Sequence, residues 1–88
     1  MRPLILIPTY NERDNVKRLF QTIEALGIPF DYLFVDDNSP DGTGDVLKEI
    51  AKIHPEVNVL HRKGKLGIGS AHRAGIRWAY DEEYPILI

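Results

Sequence analysis

Two adjacent carboxylates, Asp36 and Asp37, end the apolar run Leu33-Phe34-Val35 and are followed by the turn-forming run Asn38-Ser39-Pro40-Asp41-Gly42-Thr43. In open α/β sheets ligands bind beyond the carboxyl ends of the strands, so acids at this point stand where a substrate docks. The same residue types also favour turns, and the pair can equally serve as caps for the turn that follows. A second polar exit tips the balance toward a site, because Ile7-Pro8 runs into Thr9-Tyr10-Asn11-Glu12. There the Tyr10 ring can pack against a base or ribose, and the Glu12 carboxylate can accept hydrogen bonds from amino or hydroxyl groups. Taken alone, this exit reads more readily as helix capping by Asn11 and Glu12, with Tyr10 in a satellite core.

A third segment, Arg62-Lys63-Gly64-Lys65-Leu66-Gly67-Ile68-Gly69-Ser70-Ala71, combines accessible backbone amides at a helix start with positive charge, as a diphosphate site requires. The P-loop order Gly-x-x-x-x-Gly-Lys-Ser/Thr is absent. The pair Gly67-x-Gly69 lacks the spacing of a dinucleotide fingerprint and follows the third strand, not the first. His61, Arg62, Lys63, Lys65, His72, Arg73 and Arg77 crowd this part of the chain, which fits either a local anion site or a solvated helix face beside a basic loop.

The elements that must position these residues follow from periodicity. Leu4-Ile5-Leu6-Ile7, closed by Pro8, reads as a strand buried on both faces. Val16, Leu19, Phe20, Ile23 and Leu26 recur at helical spacing, with Asn11 as N-cap and Gly27 as the stop. Tyr32 to Val35 is the second strand. A second helix buries Val46, Leu47, Ile50 and Ile53 and ends before His54-Pro55. Val57 to Leu60 is the third strand, and a helix from about Ile68 to Asp81 carries the small residues Ser70, Ala71, Ala74, Gly75 and Ala79. Pro85 to Ile88 begins a fourth apolar strand. The order β-α-β-α-β-α-β predicts an α/β fold with a mainly parallel sheet. Ending inside an apolar strand reads as the N-terminal part of a longer protein, the alternative being a compact four-stranded unit closed by its last strand.

With 88 residues the chain is one domain at most. A formal net charge of −2 gives no bulk attraction to nucleic acid or membrane. The absence of cysteine excludes disulfides, thiolate metal sites and cysteine nucleophiles. The apolar run behind Met1 is too short for a signal-peptide core or a bilayer span.

Together, Pro8-Thr9-Tyr10-Asn11-Glu12, Val35-Asp36-Asp37-Asn38-Ser39-Pro40-Asp41-Gly42-Thr43 and Arg62-x-Gly64-Lys65-Leu66-Gly67-Ile68-Gly69-Ser70-Ala71 resemble the start of family 2 glycosyltransferases, nearest their dolichol-phosphate (polyprenol-phosphate) mannose synthase branch. The resemblance implies a GT-A, Rossmann-like fold whose N-terminal half binds a nucleotide sugar, and makes residues 1–88 that part of the domain. It implies that Pro8, Tyr10 and Glu12 line the nucleotide pocket, that Val35 and Asp37 contact base or ribose, and that Asp36 stabilises the turn. Arg62 and Lys65 would order the site or approach the phosphates, and Gly67, Gly69, Ala71 and Gly75 would serve close packing. An Asp-x-Asp motif holding Mg²⁺ or Mn²⁺ is expected beyond Ile88, with no catalytic residue in the present chain.

The implied reaction moves mannose from GDP-mannose to dolichyl or polyprenyl phosphate with inversion. A phosphate acceptor, with a second pKa of about 6, scarcely needs a general base. The complete enzyme is expected at the cytosolic face of a membrane. This chain itself is expected to be cytoplasmic, to bind nucleotide weakly and not to turn over. Rival readings are a donor such as UDP-glucose, a receiver-like module, and a non-catalytic α/β interaction fragment. An exposed fourth strand would also favour self-association.

Overall fold

The computed structural model describes residues 2–63 and 68–88, so the expectations for Gly64, Lys65 and Gly67 lie outside the described residues. Runs rich in β-branched and aromatic residues form β1 (Leu4–Thr9), β2 (Asp31–Asp36) and β3 (Val57–His61). They lie side by side in the order β1-β2-β3, each pair parallel. The helices α1 (Arg13–Glu24), α2 (Thr43–Ile53) and α3 (Ile68–Asp81) follow the strands in turn, the alternating α/β order expected from the sequence.

Strand β1 continues through Pro8, where the sequence reading closes it. Leu4 N donates to Ile86 O at 3.0 Å and Leu6 N to Ile88 O at 2.8 Å. The position of the same parity, Pro8, therefore has its missing donor on the side away from β2, and no β1–β2 bond is lost. The C-terminal stretch makes one parallel bridge, Leu87 to Leu4, in place of a full fourth strand.

Central β2 is covered on both faces, which explains its unbroken apolar character. Alternation along it sends Tyr32 and Phe34 toward α1 and α2, into a core with Val16, Phe20, Leu47 and Ile50. Leu33 and Val35 point the other way, into a core with Leu4, Ala71 and Ala79. Within α3, Gly75 faces Leu6, since a Cβ placed there would lie 2.2 Å from Leu6 Cδ1. Ala71, Gly75 and Ala79 thus bring α3 close to the sheet, whereas Gly69 is exposed and plays no part in that packing.

The helical stripes are narrower than periodicity suggests. Leu19, Leu26 and Ile53 are 41%, 64% and 74% exposed: Leu26 and Ile53 fall past or at a helix end, and Leu19 lies on the shoulder of a stripe centred on Val16 and Phe20. Asn11 is not the N-cap either. It takes φ 54°, a left-handed turn that Asn tolerates better than most residues, and Glu12 occupies the cap position without a side-chain capping bond. Gly27, at φ 72°, does stop α1.

Candidate nucleotide-binding site

Parallel register sets Pro8 beside Val35, Thr9 beside Asp36 and Asp36 beside His61. The three strands therefore end together, and the loops leaving them share one edge of the sheet. Just past the last pair, Asp37 N donates to Thr9 O at 3.2 Å, and Arg62 N donates to Asp36 O at 2.8 Å. These bonds zip the three exits together one residue beyond the strands.

The two adjacent acids turn to opposite faces, as strand alternation requires. Asp36 points to the α1–α2 side. Its Oδ1 accepts from Ser39 Oγ at 2.6 Å and Thr9 Oγ1 at 3.1 Å, and its Oδ2 accepts from Ser39 N at 3.2 Å. Those contacts make it the organiser of the turn. Asp37 points to the α3 side, where Arg62 Nε stands 2.9 Å from its Oδ1 with both side chains more than nine-tenths buried. Arg62 in turn donates through Nη2 to Ser70 Oγ at 2.9 Å, which ties the exits of β2 and β3 to the first turn of α3.

Among the residues singled out from the sequence, Pro8 and Glu12 share a recess of about 250 Å³ with Ile7, Thr9, Asn15, Val16 and Leu19. Glu12 is exposed and its Oε2 accepts from Asn15 Nδ2 at 3.3 Å. Tyr10, half-buried, follows the Thr9 that bonds Asp37. Val35 is fully buried in the α3-side core. The structure thus brings Pro8 and Glu12 together in a recess on the α1 side, while the Asp37 carboxylate lies on the α3 side with Arg62, and neither Tyr10 nor Val35 lines that recess. Lys65 lies outside the described residues.

Sequence reasoning assigned no role to Thr9, Ser39 and Thr43 beyond turns, although each binds across the two exits. Their signal was available: Ser39, Asp41 and Thr43 each carry a side-chain oxygen at every second position of a loop beside amides that a helix start leaves without partners.

Among the described residues no group of three His, Cys, Asp or Glu side chains is arranged to hold a metal ion, and Asp36 and Asp37 face away from each other. These residues do not compose a divalent-cation site, and no step through a cation follows from them. Nor is any described helix long and apolar enough to cross a membrane.

Residues 4–88 match the sequence model described as glycosyl transferase family 2. Polyprenol monophosphomannose synthase of Mycolicibacterium smegmatis is 41% identical over 88 residues, which cover 99% of this chain and 33% of that protein. Undecaprenyl-phosphate mannosyltransferase of Micrococcus luteus is 43% identical over 88 residues, covering 100% of this chain and 36% of that one. Dolichol-phosphate mannosyltransferase of Pyrococcus furiosus is 36% identical over 89 residues, covering 99% and 25%. Among solved structures, the mannosyltransferase PcManGT from Pyrobaculum calidifontis in complex with GDP-Man and Mn²⁺ superposes with a TM-score of 0.79 at 26% identity, over 90% of this chain and 25% of that one. The chain spans between a quarter and just over a third of the length of these curated relatives.

Proposed function

The chain belongs to glycosyl transferase family 2, and from that premise we propose that residues 1–88 are the nucleotide-sugar-binding part of an enzyme that transfers mannose from GDP-mannose to a polyprenyl phosphate. The observation that carries this reading is the joining of the first two strand exits, with Asp37 N bonded to Thr9 O and the Asp37 carboxylate held by Arg62. That arrangement fixes a buried carboxylate at the exit of β2 and ties the β2 exit to the segment that carries Tyr10 and Glu12. The names of the relatives and of the solved complex support the donor and acceptor classes.

In this reading Asp37 accepts hydrogen bonds from N–H groups of the base, and Arg62 fixes the orientation of its carboxylate. Tyr10 packs against the nucleoside, Glu12 accepts from a ribose hydroxyl and Pro8 forms a wall, while Val35, fully buried, supports the strand end without surface of its own for the ligand. The acceptor phosphate oxygen attacks the sugar carbon as the bond to the diphosphate breaks, which inverts that centre. An ionised phosphate needs no base to remove a proton. A divalent cation in the whole enzyme would neutralise charge on the departing diphosphate. The whole protein would work at the cytosolic face of a membrane that carries its lipid acceptor.

Calorimetric titration of the chain with GDP, GDP-mannose and UDP, with and without Mn²⁺ and repeated on Asp37→Asn, tests the proposal. Selective uptake of guanine nucleotides that Asp37→Asn weakens, in a variant still folded by circular dichroism, is the expected result. Preference for UDP would transfer the reading to a uridine-linked donor, and no uptake by a folded chain would overturn nucleotide binding by these residues.

A further inference from the structure

Three consecutive backbone N–H groups of the turn between β1 and α1 each donate to a side-chain oxygen of the loop between β2 and α2. Asn11 N donates to Ser39 Oγ at 3.0 Å, Glu12 N to Thr43 Oγ1 at 3.0 Å, and Arg13 N to Asp41 Oδ2 at 3.1 Å. The acceptors are themselves anchored. Ser39 Oγ donates to Asp36 Oδ1 at 2.6 Å, while Asp41 Oδ1 accepts from Thr43 N at 3.0 Å and from the Thr43 hydroxyl. Thr43 is fully buried, and deleting its hydroxyl removes the acceptor of the Glu12 N–H.

The turn itself is a costly conformation. Asn11 stands at φ 54°, a region that costs L-residues energy, and the cap residue of α1 makes no capping bond of its own. The neighbouring loop holds the turn's backbone at Asn11, Glu12 and Arg13.

We infer that Ser39, Asp41 and Thr43 are positioning residues of the nucleotide pocket, a clamp that fixes the β1–α1 turn carrying Tyr10 and Glu12 against the β2–α2 loop before any ligand arrives. The inference rests on the nucleotide-binding reading above. A pocket ordered in advance spares the ligand the entropy of ordering it, so loosening the clamp weakens binding without removing any group that touches the ligand. The clamp also occupies the amides of Asn11, Glu12 and Arg13, which leaves recognition at this exit to the Tyr10 and Glu12 side chains.

The test combines amide hydrogen exchange by NMR with calorimetric titration by GDP, on the unmodified chain, Ser39→Ala, Thr43→Val and Thr43→Ser. Losing one such bond corresponds to about fivefold. Thr43→Val is expected to speed exchange at the Glu12 amide and weaken GDP binding by that order, with Leu33 and Val35 amides unchanged and both effects reversed in Thr43→Ser. Ser39→Ala should do the same at the Asn11 amide, and it carries the test if Thr43→Val fails to fold. Unchanged exchange at residues 11–13 in a folded variant overturns the clamp, as does faster exchange with native GDP affinity. A general rise in exchange across β2 would show a purely structural role and overturn it too. If the unmodified chain takes up no GDP, the nucleotide reading falls by itself, and a local rise in exchange that Thr43→Ser reverses still supports the clamp.

Discussion

Arg62 Nε lies 2.9 Å from Asp37 Oδ1, joining the exits of β3 and β2 through side chains that are only 9% and 7% exposed. Removing one partner of a buried pair leaves the other charge without compensation in a poorly solvated place, at a cost of about 3 kcal/mol or more. Arg62→Met is therefore expected to lower the unfolding free energy by about 3 kcal/mol, read from the urea midpoint. Adding Asp37→Asn to it should cost less than the sum of the single changes, with a coupling of at least about 1 kcal/mol. Simple additivity would show that the pair contributes nothing of its own.

The approach of α3 to β1 makes a second, opposite pair of predictions. At Gly75 a Cβ would meet Leu6 Cδ1 at 2.2 Å, Cδ2 at 2.9 Å and Cγ at 3.1 Å, so Leu6, half-buried against the α3-side core, must shift. Overpacking of this kind costs about 1–3 kcal/mol, more than the helix propensity that alanine brings. At Gly69 the nearest atom among the described residues to such a Cβ is Arg73 Nη1 at 3.6 Å, an ordinary contact with a movable side chain. Thermal denaturation should show Gly75→Ala melting below the native chain and Gly69→Ala at or above it.

Much of this arrangement was legible in the residues. Strand-length apolar runs, helical stripes and polar exits gave the β-α alternation, the parallel sheet and the adjacency of the Pro8–Glu12 and Asp36–Asp37 segments. What escaped were relationships that depend on partners distant in the chain. Asn11 looks like an N-cap because local propensity favours it there, yet the Arg13 amide that such a cap could satisfy is taken by Asp41 from another loop. The resemblance already gave Asp36 to the turn, but that Asp37 is held by Arg62 from the third strand exit depends on a partner distant in the chain. Leu19 and Ile53 match a helical period but lie off the narrow face that a three-stranded sheet can cover. Pro8 reads as a strand end because its lost donor is visible and the side it would have faced is not.

Alkaline titration should unfold the protein in a defined window. Tyr32 is raised from 10.0 to about 12, first by burial and then by the negative charge of Glu24. Tyr84 is likewise raised from 10.0 to about 12, by burial and by donating its hydroxyl to Asp31 at 2.7 Å. Both phenols are held neutral by the fold more firmly than in the unfolded chain. Their contribution is fully present below pH 10.0 and is lost as pH rises through about 12. Urea midpoints should stay level approaching pH 10 and fall above it, less steeply in Tyr84→Phe. A midpoint indifferent to pH across that interval would show that neither hydroxyl is held as described.

The end of α3 offers a stabilising change. Glu83 N donates to Tyr80 O at 3.1 Å and Tyr84 N to Ala79 O at 3.0 Å, the paired bonds of a Schellman motif in which Glu83 occupies the left-handed position. Its φ is 61°, where a side chain brings Cβ against the following carbonyl at a cost of about 1–2 kcal/mol and glycine does not. The hydrophobic contact that accompanies such a motif is present as Tyr84 stacked on Trp78 with centroids 5.9 Å apart, so the local geometry does not depend on the Glu83 side chain. Glu83→Gly is expected to stabilise by about 1 kcal/mol, a melting shift of roughly 4–8 °C for a domain of this size. Glu82→Gly, one residue earlier at negative φ, gains no such relief and loses backbone entropy, so it should melt lower by a few degrees. Equal shifts from the two substitutions would mean that strain at Glu83 is not what limits this end of the helix.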